Sequence, residues 1–148
     1  MTREGLELEP GETVLAAARA SFRGGAATSM RSTFALGSAR MRMRAHDAWR
    51  ATAVEAGFPA APPEMALLLT DRRILVGRPT FWGRPPKRYT GAVDLDQIHE
   101  VVAVRHGLIV GVAFALARGR IVEIEAMRGR QLRRFVERLR AQLAQHRP

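Results

Sequence analysis

The stretch Leu67-LLLTDRRILV-Val76 decides the fold. Three leucines and a threonine run into Asp71-Arg72, and Ile74, Leu75 and Val76 resume the apolar run beyond. Two short apolar segments around a polar pair predict a tight antiparallel hairpin, with strands over Met65–Thr70 and Arg73–Val76.

Downstream, residues 77–88 (GRPTFWGRPPKR) cannot form a central strand, because Pro79, Pro85 and Pro86 have no N–H for a ladder. Tyr89–Leu95 and Ile98–Arg105 are further strand candidates, the latter ended by His106-Gly107. In Leu108–Ala117, Leu108, Val110, Val112, Phe114 and Leu116 share one face, and the small residues Gly111, Ala113, Ala115 and Ala117 join Ile109 on the other. Arg118-Gly119 turns the chain, and Val122, Ile124 and Ala126 then alternate with Glu123 and Glu125. Residues 130–145 give a one-sided helix with Leu132, Phe135, Val136, Leu139 and Leu143 on one stripe. Its arginines, Arg133, Arg134, Arg138 and Arg140, read as biased toward later turns, where the helix dipole favours cations.

Upstream, Pro62-Pro63 marks a boundary. Residues 38–56 read as a helix with Met41, Ala45, Ala48, Trp49, Thr52 and Ala56 on one stripe, Gly57 just past its end and Pro59 as a stop. Thr13–Phe22 is ambiguous: alanines at 16, 17, 18 and 20 permit a helix, and alternation permits a strand. A meander of strands closed by one amphipathic helix is an α+β or small-barrel plan within a single domain, residues 1–148.

The order of elements resembles the pleckstrin-homology-like fold of small bacterial PH proteins. The resemblance rests on LLLTDRRILV (Leu67–Val76), AVDLDQIHEV (Ala92–Val101) and GRIVEIEA (Gly119–Ala126), which follow that group's "TDRRLL" hairpin, "PLDRI" strand and last strand before a capping helix. It covers Glu64–Pro148 and implies a mainly β, seven-stranded bent antiparallel barrel, with Thr13–Phe22 as first strand and a C-terminal capping helix. Residues 23–63 then form a long insertion, carrying the extra helix, between strands one and two. The phosphoinositide signature of eukaryotic PH domains is not reproduced: Arg19 and Arg23 end the first strand, but the second begins Met65-Ala66-Leu67.

Composition narrows the function. The formal net charge is +10, from 23 arginines and one lysine, Lys87, against 14 acidic residues. Residues 1–12 carry a net −3, with Arg3 against Glu4, Glu7, Glu9 and Glu12. The last 48 residues carry +7, ten arginines against three glutamates. The absence of cysteine excludes thiolate nucleophiles, disulfides and cysteine-built zinc sites. No apolar run approaches a membrane span, and the acidic N-terminus lacks the order of a signal peptide. The expectation is a cytoplasmic protein, with peripheral membrane attachment as the variant.

Candidate sites follow from residue type. Arg78, Arg84, Lys87 and Arg88 interleave with Phe81 and Trp82, a combination suited to an anionic surface or a partner. In the PH-like arrangement Arg118 and Arg120 join them at one end of the barrel. The opposing reading packs Phe81 and Trp82 back onto the fold. Met41, Ala45 and Trp49 are candidates for self-association, or for packing of the helix on its own chain. Clustered arginine also admits nucleic acid, although no helix-turn-helix, aromatic RNA-binding pair or finger spacing occurs. Asp94 and Asp96 flank Leu95 as a turn; His99 and His106, and the adjacent His46 and Asp47, are spaced poorly for a shared metal. No glycine pattern builds a nucleophile elbow or a phosphate cradle. The expectation is a non-catalytic binding module without cofactor or metal. Its partner is expected to be a protein or a second copy, with anionic membrane and then nucleic acid as alternatives.

Overall fold

A computed structural model describes residues 5–25, 38–80, 84–117 and 119–146. The expected hairpin is present as β2 (Glu64–Thr70) and β3 (Arg73–Gly77), after β1 (Val14–Phe22). Thr70 organises its turn: the hydroxyl accepts the backbone N–H groups of Arg72 and Arg73, each at 3.1 Å. Met65, Leu67, Leu69, Ile74 and Val76 enter the main core, while Leu68 and Leu75 join Tyr89 in a small cluster on the opposite face. Burial on both faces explains why this stretch is apolar without alternation.

The ambiguous Thr13–Phe22 segment is a strand. It pairs with β2 from Val14 to Ser21, and at Ser21 and Phe22 with β7 (Ile121–Met127). Alanine's helix preference is a few tenths of a kcal/mol per residue and yields to two ladders.

The remaining strands are β4 (Gly91–Asp94), β5 (Ile98–His106) and β6 (Ile109–Leu116). All pairings are antiparallel, in the order β4-β3-β2-β1-β7-β6-β5. The two outermost strands are consecutive in the chain, joined only by a three-residue 3₁₀ turn, Leu95–Gln97. A flat seven-stranded sheet would hold them about 29 Å apart, whereas four Cα steps reach at most about 14 Å. The sheet must therefore roll. It does not close into the barrel that the sequence suggested: among the described residues β4 pairs with β3 alone and stops after four residues, leaving β4 and β5 as edges.

The roll is filled by Phe22, Phe58 and Phe114 and capped by the C-terminal helix α2 (Arg130–His146), packed on β1, β5 and β6. Its buried side chains are Leu132, Phe135, Val136, Leu139 and Leu143, as the periodicity predicts, each worth roughly 1.5–3 kcal/mol of burial. The start at residue 130 is as expected, but the late-turn bias of its arginines is not: His146 is the basic residue of the last turn, while Arg130 and Arg133 lie in the first turn and Arg134 just beyond.

The inserted helix α1 (Ser38–Ala56) is present, but turned from the face that the sequence suggested. Of the expected stripe, Ala56 is buried and Trp49 half-buried, but Met41 is 70% exposed and Ala45, Ala48 and Thr52 are exposed, and His46 and Ala53 are buried in their stead. Aromatic contacts decide this: His46 packs edge-on to Phe22 at 5.4 Å, and Trp49 meets Phe58 at 6.1 Å between ring centroids. Two polar contacts fix the helix to its own chain. Trp49 Nε1 donates to the Glu123 carbonyl at 2.7 Å, and His46 Nε2 lies 2.8 Å from the Ala61 carbonyl. Gly57, at φ 100°, ends the helix: its N–H donates to Val54 O and that of Phe58 to Ala53 O. This pairing is a Schellman cap, and its left-handed residue favours glycine.

Candidate functional site

The loop after β3 was the leading candidate from sequence. Phe81, Trp82 and Arg118 lie outside the described residues. Arg78, Arg84 and Lys87 are exposed. The Thr80 hydroxyl donates to the Arg84 carbonyl, closing the loop on itself. Thr80, Arg84, Pro85 and Pro86 wall a cleft of about 330 Å³ against Ala17, Ala66 and Tyr89. Two of the other basic candidates are ion-paired: Arg88 Nε lies 3.3 Å from Glu7, and Arg120 Nη1 lies 3.7 Å from Glu55 on α1. The Arg120–Glu55 pair and the Thr90 hydroxyl, which donates to Ala60 O, bring the β6–β7 turn and the start of β4 to the insertion.

The acidic lead-in answers part of this charge. Leu6 and Tyr89 exchange backbone hydrogen bonds of 2.9 Å, strapping the loop's end to the N-terminal segment. Glu9 pairs with Arg72 at 3.1 Å. Glu12 accepts from Arg73 Nε and Nη2, both at 2.9 Å, and from the Thr70 hydroxyl at 2.7 Å, with its side chain fully buried. The fork of the Arg73 guanidinium holds the Glu12 carboxyl at about 2, against an ordinary 4.5; burial opposes the shift and the Thr70 hydroxyl adds to it. Arg73 is shifted in turn to a higher pKa by its bond to Glu12. Burial raises the Tyr89 phenol. These arginines are structural staples and are not free for a ligand.

Of the self-association candidates, Met41 and Ala45 are exposed, whereas Trp49 is committed to Glu123 and Phe58. His99, His106, Asp94 and Asp96 are all exposed, and Asp94 opens the 3₁₀ turn that buries Leu95. Among the described residues, no group of three or more His, Asp or Glu is placed to hold a metal.

Two surfaces emerge that the sequence did not single out. The first is the outer face of β5 and β6. The ladder sets Val102 opposite Ala113 and Val104 opposite Gly111, and Val102, Val104 and Ile121 are exposed. Gly111 and Ala113 floor a shallow groove of about 200 Å³ between the β5 valines and Glu123 and Glu125 of β7. Beside it runs β5, nine residues long, whose strand partner among the described residues is β6, on one side. The second surface is a cleft of about 480 Å³ where β5 ends and α2 begins, lined by Arg105, Arg128, Arg130, Arg133, Arg134 and Glu137. The available signals were the valines of VVAV (101–104) and the RGR and RR clusters at 128–134. Neither says which residues meet across the sheet.

Set against known proteins, the chain matches no family model and no curated sequence. No helix among the described residues is long and apolar enough to cross a membrane.

Proposed function

We propose that this chain is a non-catalytic binding module of pleckstrin-homology-like architecture that self-associates by pairing β5 with β5 of a second copy. The strand order and the C-terminal capping helix support the architecture. The carrying observation is the unequal treatment of the two sheet edges. β4 is four residues long, and Pro59 lies so close to Gly91 that a Cβ there would collide with it. β5 is nine residues long, carries exposed Val102 and Val104 and, among the described residues, has no strand on its outer edge. A long apolar edge is an aggregation hazard unless it is paired, and a two-fold pairing closes it.

Symmetry restricts the register. A two-fold axis normal to the sheet keeps each residue on its own face, so partners must come from the same face. Glu100, Val102, Val104 and His106 alternate along one face. Setting Val102 against Val104 of the second copy places Glu100 against His106 at both ends. Apolar pairs are then central, flanked by a carboxylate and an imidazole.

Sedimentation velocity at moderate salt tests the reading. The wild-type protein sediments at twice its 16.4 kDa. Val104→Lys, at a position 47% exposed, gives a monomer with an unchanged melting temperature, because an edge lysine blocks pairing without disturbing the core. A wild-type monomer at about 100 µM, a concentration that populates even weak dimers, overturns the proposal.

A further inference from the structure

The arginine cleft is built from three separated pieces of chain: Arg105 at the end of β5, Arg128 in the β7–α2 turn, and Arg130, Arg133 and Arg134 at the start of α2. The turn is held by specific geometry. The Arg128 N–H donates to the Leu108 carbonyl in the β5–β6 turn, and Arg128 itself takes a left-handed φ of 60°. A Cβ on Gly129 would collide with Val110 of β6. The β7–α2 turn is thereby seated on β6, and its arginines face a fixed wall.

Elsewhere, carboxylates answer the arginines: Glu7, Glu9, Glu12, Glu55, Glu64 and Glu123 are all ion-paired. In the cleft, five arginines meet one glutamate, Glu137, a formal +4. Among the described residues, none of these five arginines is within ion-pair distance of a carboxylate. Arg105 Nε donates to the Gly107 carbonyl. No acidic residue offsets them in the first turn of α2, where the helix dipole already opposes cations. Like charges gathered in a concavity, against the helix field and with no ion-paired carboxylate among the described residues, lack their counter-charge.

We infer that this cleft is a binding site for a phosphate group carrying two or more negative charges. Guanidinium forks donate paired hydrogen bonds to phosphate oxygens. A concavity ringed by five such forks suits a compact, multiply charged group better than an extended backbone, which needs a stripe of charge. The inference is independent of β5 pairing. The phosphate could be carried by a soluble molecule or by a lipid headgroup, and two arms of one experiment separate these sources.

In the first arm, sodium tripolyphosphate is titrated into the full chain by calorimetry at constant ionic strength. In the second, the protein is floated with vesicles containing phosphatidic acid or phosphatidylcholine alone. Binding of tripolyphosphate without flotation assigns a soluble ligand; flotation with phosphatidic acid only assigns a headgroup. In either case Arg133→Ala combined with Arg134→Ala weakens binding at least about tenfold, through lost charge-assisted bonds, while Arg50→Ala on α1 leaves it unchanged. Arg133→Glu with Arg134→Glu abolishes binding and melts at the same or higher temperature, since carboxylates suit a helix start. That variant separates lost binding from lost fold. Failure of both arms overturns the inference. So does a loss as large for Arg50→Ala as for the cleft variants, or a random DNA duplex binding more tightly than tripolyphosphate, because either marks diffuse surface charge.

Discussion

Replacing Glu12 by Gln tests how the acidic lead-in is coupled to the sheet. Glu12 sits where the segment before β1 meets the β2–β3 turn, with both carboxylate oxygens on Arg73 and one on Thr70. Its pKa of about 2, against an ordinary 4.5, is equivalent to about 3 kcal/mol of native-state stabilisation near neutral pH. Glu12→Gln removes the charge and keeps the shape, so the expected loss at pH 7 is about 3 kcal/mol, or roughly 6–12 °C in melting temperature for a chain of this size. The pH dependence is more diagnostic. A depressed carboxyl pKa stabilises the fold fully above the unfolded value, and this stabilisation is lost as pH falls through the folded value. The gap between wild type and variant is therefore constant from pH 7 to about 5 and closes as pH falls toward 2. Urea denaturation at pH 7, 5, 4 and 3 measures it. A gap that stays constant over this range, or one below about 0.5 kcal/mol at pH 7, refutes the assignment of Glu12 and Arg73 as a buried staple.

Three further outcomes are expected. Trp49→Phe keeps the aromatic contact but removes the indole N–H that donates to Glu123 O; it costs about 1 kcal/mol in denaturant melts and raises proteolytic cleavage within α1 more than within α2. Gly129→Ala combines a left-handed φ of 39° with a collision against Val110 and destabilises by more than about 1 kcal/mol, whereas Gly119→Ala, with open space around its Cβ position, costs less. Met41→Ser, on the exposed side of α1, leaves both the stability and the association state unchanged, because the helix docks through His46, Trp49 and Ala53; a shift to monomer would return the dimer surface to α1.

The sequence made the local elements legible. Leu67–Val76 declares its hairpin, because apolar runs around Asp71-Arg72 admit little else, and the stripe from Leu132 to Leu143 declares α2. Gly57 marks a helix end through its own backbone freedom. What stayed hidden depends on neighbours. Thr13–Phe22 is strand only because β2 and β7 flank it. The buried side of α1 was misjudged because Met41 looks more apolar than His46, yet His46 has Phe22 and the Ala61 carbonyl to meet. The arginines of α2 looked like a late-turn bias, yet the last turn carries only His146 as a basic residue, and Arg130 and Arg133 stand in the first. Arg105 and Arg128 lie 23 residues apart, and only the β5–β6–β7 ladder brings them to one cleft. The order of strands, which leaves β5 on an edge, is likewise a property of the whole chain.

The absence of cysteine gives a direct test of the β5 pairing. Val102→Cys and Val104→Cys chains are prepared separately, then oxidised mildly alone and as a mixture. In the proposed register these two positions face each other across the two-fold axis, within about 4.5–5.5 Å, a separation that a disulfide can span. Each position is diagonal to its own copy, at about 7–8 Å between strands. The mixture cross-links rapidly into a covalent dimer, and either chain alone cross-links little. Equal cross-linking in all three samples, or none in any, would contradict it.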